Sequence, residues 1–119
     1  MPWDTHNVNT ASKELYDEIM QRRPDLFPRQ HILFQIAVAV GIQEDDQESL
    51  EGDSEALIKT SADAFDPDEV LKSLMEERYP DKEEKQQLEE LEKFAESGIK
   101  TIHETVKRTG TFDIDSYVS

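Results

Sequence analysis

Apolar side chains recur every three or four residues along most of this chain, and the recurrences predict helices. Leu15, Tyr16, Ile19 and Met20 give one helix from an N-cap at Ser12 to Arg23, with Arg22 and Arg23 in the last turn, where cations favour the negative end of the dipole; Pro24 stops it. Pro28 suits the first position of a second helix over 28–40. Its stretch Ile32 to Val40 is apolar on every side, and Gly41 is expected as a left-handed cap. The β-branched content would also permit a strand, but the length from Pro28 to Val40 favours a helix. Ser54 is the expected cap of a third helix carrying Ala56, Leu57, Ile58, Ala62 and Phe65. Asp66-Pro67-Asp68-Glu69 reads as the start of a fourth, with Val70, Leu71, Leu74, Met75 and Tyr79 as its apolar face and Pro80 as its end. Asp81 and Glu84 have capping-box spacing and open the longest element. In it Leu88, Leu91, Phe94, Ala95, Ile99, Ile102 and Val106 predict one helix over 82–108, ended by Gly110.

Three segments lack that period. Residues 1–11 read as an N-terminal arm in which His6, Val8 and Thr10 alternate as a very short strand. Residues 43–53 hold six acids, no base and one large apolar residue, so a mobile acidic loop is expected inside the helical domain spanning 12–110. Residues 111–119 form a short extended C-terminal tail that either docks on the body or waits for a partner. The predicted fold is all-α: one compact bundle of four to five helices with a long C-terminal helix.

Charge changes the picture more than composition does. The net charge is −15, and it is uneven: residues 1–42 carry five acids and four bases, residues 43–119 carry 23 acids and nine bases. A surface of that sign repels phosphate backbones, so DNA is admitted only through the N-terminal third. The excess fits a cytoplasmic protein of a salt-accumulating organism, a halophilic archaeon for instance, or an acidic protein with a basic partner. No long apolar run and no apolar signal segment is present, so neither a membrane span nor export is expected and the predicted location is cytoplasmic. With no Cys, disulfides and thiolate metal sites are excluded.

The chemistry-bearing motifs fail one by one. His103-Glu104 would need a second His at 107 to bind zinc, and that residue is Lys. Setting Gly52 sixth in a calcium loop puts Gln47 first and Ile58 twelfth, which are not the required acids. Glu89, Glu92 and Glu96 share a helix face but lack the Glu-x-x-His partner of bundle metal sites, and interleaved Lys82, Lys85, Lys93 and Lys100 make a solvated face the simpler reading. There is no nucleophile elbow and no phosphate-cradling glycine loop. No catalytic residue, metal or cofactor is assigned, and the chain is expected not to be an enzyme.

What remains are surfaces. Arg22, Arg23, Arg29 and His31 are the least acidic patch and the candidate contact for a partner or DNA. Ile32, Ile36, Val40, Phe94 and Gly98 are the candidate helix-packing residues. Glycine within a helix costs about 1 kcal/mol against alanine, so Gly98 marks either a close backbone approach or a weak point. The order strand, helix, turn, helix over His6 to Val40 also matches a ribbon-helix-helix regulator, with Asn7 and Asn9 as base readers, although no Arg or Lys precedes Lys13.

The element order, with Ile32-Leu33-Phe34-Gln35-Ile36-Ala37-Val38-Ala39-Val40-Gly41-Ile42 and later Leu91-Glu92-Lys93-Phe94-Ala95-Glu96-Ser97-Gly98-Ile99-Lys100-Thr101-Ile102, resembles the small helical proteins associated with the Dnd system of DNA phosphorothioation. That family has an apolar helix ending in Gly and a late Phe-x-x-x-Ala-x-x-Gly-like segment. The resemblance covers Leu15 to Ile102. It implies a non-catalytic accessory subunit of a prokaryotic DNA modification and antiviral defence machinery, restriction-modification in kind. Such a subunit would assemble with a copy of itself or with a larger subunit, and no catalytic residue carries over.

Overall fold

The computed structural model describes residues 3–50, 54–60, 65–66 and 68–114. The long apolar stripe near the C-terminus becomes α4 (Glu84–Thr109), whose 26 residues at about 1.5 Å each account for the 40 Å long dimension. A capping box between Glu83 and Gln86 opens it, two residues beyond the pair expected from the sequence, and Gly110 closes it at φ 81°. The apolar helix α2 (Gln30–Gln43) packs along it. Gly41 lies against Phe94 and Gly98 lies against Ala37, so the two helices run antiparallel with their backbones nearly touching. At each glycine a Cβ would fall inside the opposing carbonyl group. Gly41 is therefore not the left-handed cap expected of it: it sits within α2, which continues to Gln43 because the bare backbone is needed at the crossing.

Around this pair pack α1 (Lys13–Arg22), which buries Tyr16 and Ile19, and α3 (Val70–Arg78), which buries Leu71 and Met75. The core gathers Tyr16, Ile19, Phe27, Leu33, Phe34, Leu91, Phe94, Ile99 and Ile102. Phe112, at the start of the C-terminal tail, is buried with its ring 6.5 Å from that of Phe27, while residues 115–119 lie outside the described residues.

The all-α expectation is overturned. β1 (Asn7–Thr10) pairs antiparallel with β2 (Glu55–Lys59), so the fold is a mostly helical α and β mixture with one two-stranded sheet. β2 stands where the third helix was expected from Ser54. Adjacent Ala56, Leu57 and Ile58 fit either period over five residues, and the unpaired backbone beside fully buried Val8 demands a ladder partner, which decides for the strand. Phe65, expected on that helix, is buried in the segment that follows, against Trp3 and Phe34 at 6.2 and 5.8 Å between ring centroids; Ala62 lies outside the described residues. The N-terminal arm is thus part of the body. α3 begins later than the Asp66 signal, because that carboxylate reaches across to the Leu71 and Lys72 amides.

Within the acidic stretch 43–53, the described part is tied to α4. The Glu48 amide donates to the Lys93 carbonyl at 3.1 Å, the Gln47 side chain donates to Glu90, and Ser97 Oγ donates to Asp46 Oδ2 at 2.8 Å. Residues 51–53 lie outside the described residues.

Candidate functional site

The register of the sheet slips between Val8 and Asn9, so that Val8 faces Ile58 and Asn9 faces Ala56. At that irregularity the Asn9 amide turns from the ladder and donates to Glu92 Oε2 at 2.6 Å. One turn further along α4, Glu96 is 2% exposed and accepts from Thr10 Oγ1 at 2.8 Å, from the Ala11 amide at 3.3 Å and from the Ser12 hydroxyl. Ser12 does occupy the N-cap position of α1, but its hydroxyl is spent on Glu96 and makes no capping bond. Glu92 and Glu96, read from the sequence as part of a solvated face, are buried beneath the corner between β1 and α1. Their spacing of four put them on one face, and the donors that make their burial tolerable sit more than 80 positions away in the chain.

Beside this corner lies a polar cavity of about 290 Å³, lined by His6, Asn7, Asn9, Lys85, Leu88, Glu89 and Glu92. Burial pushes the Glu92 carboxyl up to about 7, reinforced by the charges of Glu89 and Glu96 and opposed by the Asn9 amide and Lys85. Burial likewise raises the Tyr16 hydroxyl, with Glu96 adding to it, and that hydroxyl has no hydrogen-bond partner among the described residues. A carboxyl that titrates near neutrality at the edge of a cavity can exchange a proton with solvent. Among the described residues, no group of three or more His, Asp or Glu is placed to hold a metal.

Other carboxylates on α4 are neutralised by cations. Glu84 gathers Lys72 Nζ, His6 Nε2 at 2.8 Å and the Asp4 amide at 3.0 Å, and these contacts hold it low against the opposing effect of burial. Lys72 is itself buried, 4.5 Å from the Trp3 ring, and the Trp3 indole donates to Asp66 at 3.1 Å. Burial alone would raise Glu90, but Lys82 at 2.8 Å, Gln47 and Lys93 bring it down to about 2.

A second cavity, about 330 Å³ and apolar, opens between α2 and α3. Val38, Ala39 and Ile42 form one wall and Val70, Leu71 and Leu74 the other, with Gln35, Asp66 and Asp68 at one end. Gln35 Nε2 donates to the Phe65 carbonyl at 2.7 Å, which fixes the approach to α3 against α2. Val70 is 62% exposed, the most conspicuous apolar side chain left to solvent among the described residues. It follows Glu69, whose backbone is left-handed at φ 54°, a conformation that costs a side-chain-bearing residue about 1 kcal/mol or more.

The candidate contact residues do not form one cationic surface. Arg22 pairs with Glu18 at 3.1 Å, and Arg23 pairs with Asp25 at 2.7 Å while also donating to the Gly110 carbonyl at 3.0 Å. Arg29 is exposed at the N-cap of α2, and His31 is half-buried in its first turn. Of the packing candidates, Ile36, Val40 and Phe94 are buried, Ile32 is partly buried, and Gly98 is at the crossing with Ala37. His103 Nε2 lies 2.7 Å from Glu18 Oε2. The groove between α2 and α3 escaped the sequence reading; its signal is Val38 and Ile42, spaced four apart on a helix that is apolar all round and so must be covered on every side.

No protein-family model, curated protein or solved structure matches this chain, and nothing in those comparisons links it to the Dnd system.

Proposed function

We propose that this chain is a non-catalytic accessory subunit that acts by binding another protein. The observation that carries the reading is the apolar groove between α2 and α3 with Val70 standing exposed at its edge. Exposed apolar surface is costly to keep unless something covers it in the working state. The polar groups, by contrast, are occupied in holding the fold: Glu84, Glu90 and Glu96 each bind two or more donors from elsewhere in the chain. Among the described residues no helix is long and apolar enough to cross a membrane.

The ribbon-helix-helix alternative draws less support. A regulator of that kind needs its first strand free to pair with a second copy, whereas β1 pairs with β2 and gives its Asn9 amide to Glu92. Two of the three arginines proposed for DNA contact are paired with acids. That the machinery served is a DNA modification system rests on sequence resemblance alone.

The test is to purify the tagged chain and its Val70→Asp variant side by side from the cells that make it. A stoichiometric companion that the variant loses is expected. A chain that emerges alone, or with companions indifferent to Val70, removes the reading. A gel shift of a palindromic duplex by the isolated chain, persisting at high salt, would replace it with the regulator.

A further inference from the structure

From the shape and charge of the groove between α2 and α3, we infer that its occupant is an amphipathic helix of another protein, apolar on the face that enters and rich in Lys or Arg at its flanks. This rests on the binding role proposed above and names the chemistry of the partner.

The walls are two helices whose main-chain groups bond within themselves, so an extended peptide finds no row of free donors and acceptors to pair with. They offer side chains instead. Val38 and Leu71 are buried and form the floor, while Ala39, Ile42 and Leu74 are half-buried and Val70 is exposed, which is a trough open along its length. A volume of about 330 Å³ is small for a whole ligand but suits the anchoring side chains of a helix laid along the trough. A third helix then completes the layer around α2, the element that is apolar on all sides.

The ends of the trough are acidic. Exposed Asp68 stands at the Gln35 end beside Asp66, whose carboxylate is held by the Trp3 indole and the Leu71 and Lys72 amides, and beyond Ile42 the helix α2 finishes in exposed Asp45, where its dipole is also negative. No cation pairs with Asp68 among the described residues. A second copy of this chain is a poor occupant, since it would bring another net charge of −15 against these acids. A helix with basic flanks meets both the apolar floor and the acidic ends.

The experiment titrates the full chain with three synthetic peptides of about 18 residues, long enough to be helical on binding: a Leu–Lys amphipathic helix, its Leu–Glu counterpart, and a Leu–Lys peptide scrambled to lose the stripe. The Leu–Lys helix is expected to bind, the other two are not, and Val70→Asp is expected to weaken binding about tenfold or more with an unchanged melting curve. That substitution adds negative charge, so binding driven by charge alone would hold or strengthen in the variant, and that result would overturn the proposal. Asp68→Lys is expected to weaken the Leu–Lys helix several-fold. If the Leu–Glu helix binds equally and depends on Val70, the basic partner is refuted while the groove and the accessory role stand. Concentration-dependent dimerisation abolished by Val70→Asp would refute it in favour of a second copy.

Discussion

Two faces of α4 close against their neighbours by opposite means. Toward α2 the contact is made by absence: Gly98 and Gly41 remove side chains so that each helix meets the other's backbone. Toward β1 and α1 the contact is made by charge: Glu92 and Glu96 reach up to amides and hydroxyls from Asn9 to Ser12. The first face tolerates no added atom, and the second tolerates no lost acceptor. Dispersion and apolar burial hold the first face, and those forces are indifferent to pH. The second depends on groups whose protonation can change.

The sharpest way to break the first face is Gly98→Ala. The substitution gains about 1 kcal/mol of helix propensity, but its methyl group meets the Ala37 carbonyl, which is backbone and cannot swing aside, so relief requires the helices to separate. A net loss of about 3 kcal/mol is expected, read as the shift in a urea unfolding midpoint. A variant as stable as the parent would mean that the close crossing does not exist. On the second face, Glu96→Ala strips the acceptor from Thr10, Ala11 and Ser12 together and leaves a void, and about 2 to 3 kcal/mol is expected to be lost. Glu96→Gln keeps an acceptor and should cost clearly less. Equal losses from the two variants would show that volume, not hydrogen bonding, matters there.

The first face was half legible in the sequence and the second was not. A glycine in a long amphipathic helix is a departure from propensity, so Gly98 announced either a close approach or a weak point, and the apolar run from Ile32 to Val40 announced the element it would meet. Gly41 misled because a glycine at the end of an apolar run has the same local signature whether it caps a helix or lets another backbone in. Glu92 and Glu96 misled more deeply. Glutamates among lysines on a helix are usually solvated, and what buries this pair is the short strand from Asn7 to Thr10, which has a single fully buried apolar residue, Val8, to signal it. β2 was missed for the same reason: five residues are too few to carry a period, and the pairing that decides them is a tertiary fact. The groove between α2 and α3 left only the trace of Val38 and Ile42 on a helix apolar all round, and that trace reads equally well as ordinary core.

The smallest expected effect separates two neighbours on α4. Glu92 holds its proton more tightly in the folded chain, at about 7 against an ordinary value of 4.5, so the folded state binds extra proton between those two pH values. The stability this carboxyl contributes is complete below about pH 4.5 and is lost as the pH rises through 7. The loss is read as a fall of a few degrees in melting temperature across that window. Two residues away, Glu90 is held at about 2 by Lys82, Gln47 and Lys93. Its contribution is complete above about pH 4.5 and is lost as the pH falls through 2, a window that does not overlap the first. Thermal melts from pH 3 to 8 of the parent, Glu92→Gln and Glu90→Gln therefore sort these two carboxyls of one helix. Glu92→Gln should flatten the decline between about pH 5 and 7 and leave the acid limb alone, because glutamine still accepts from the Asn9 amide but carries no charge. Glu90→Gln should do the reverse. A Glu92→Gln variant that keeps the neutral-pH decline would place the titrating group elsewhere.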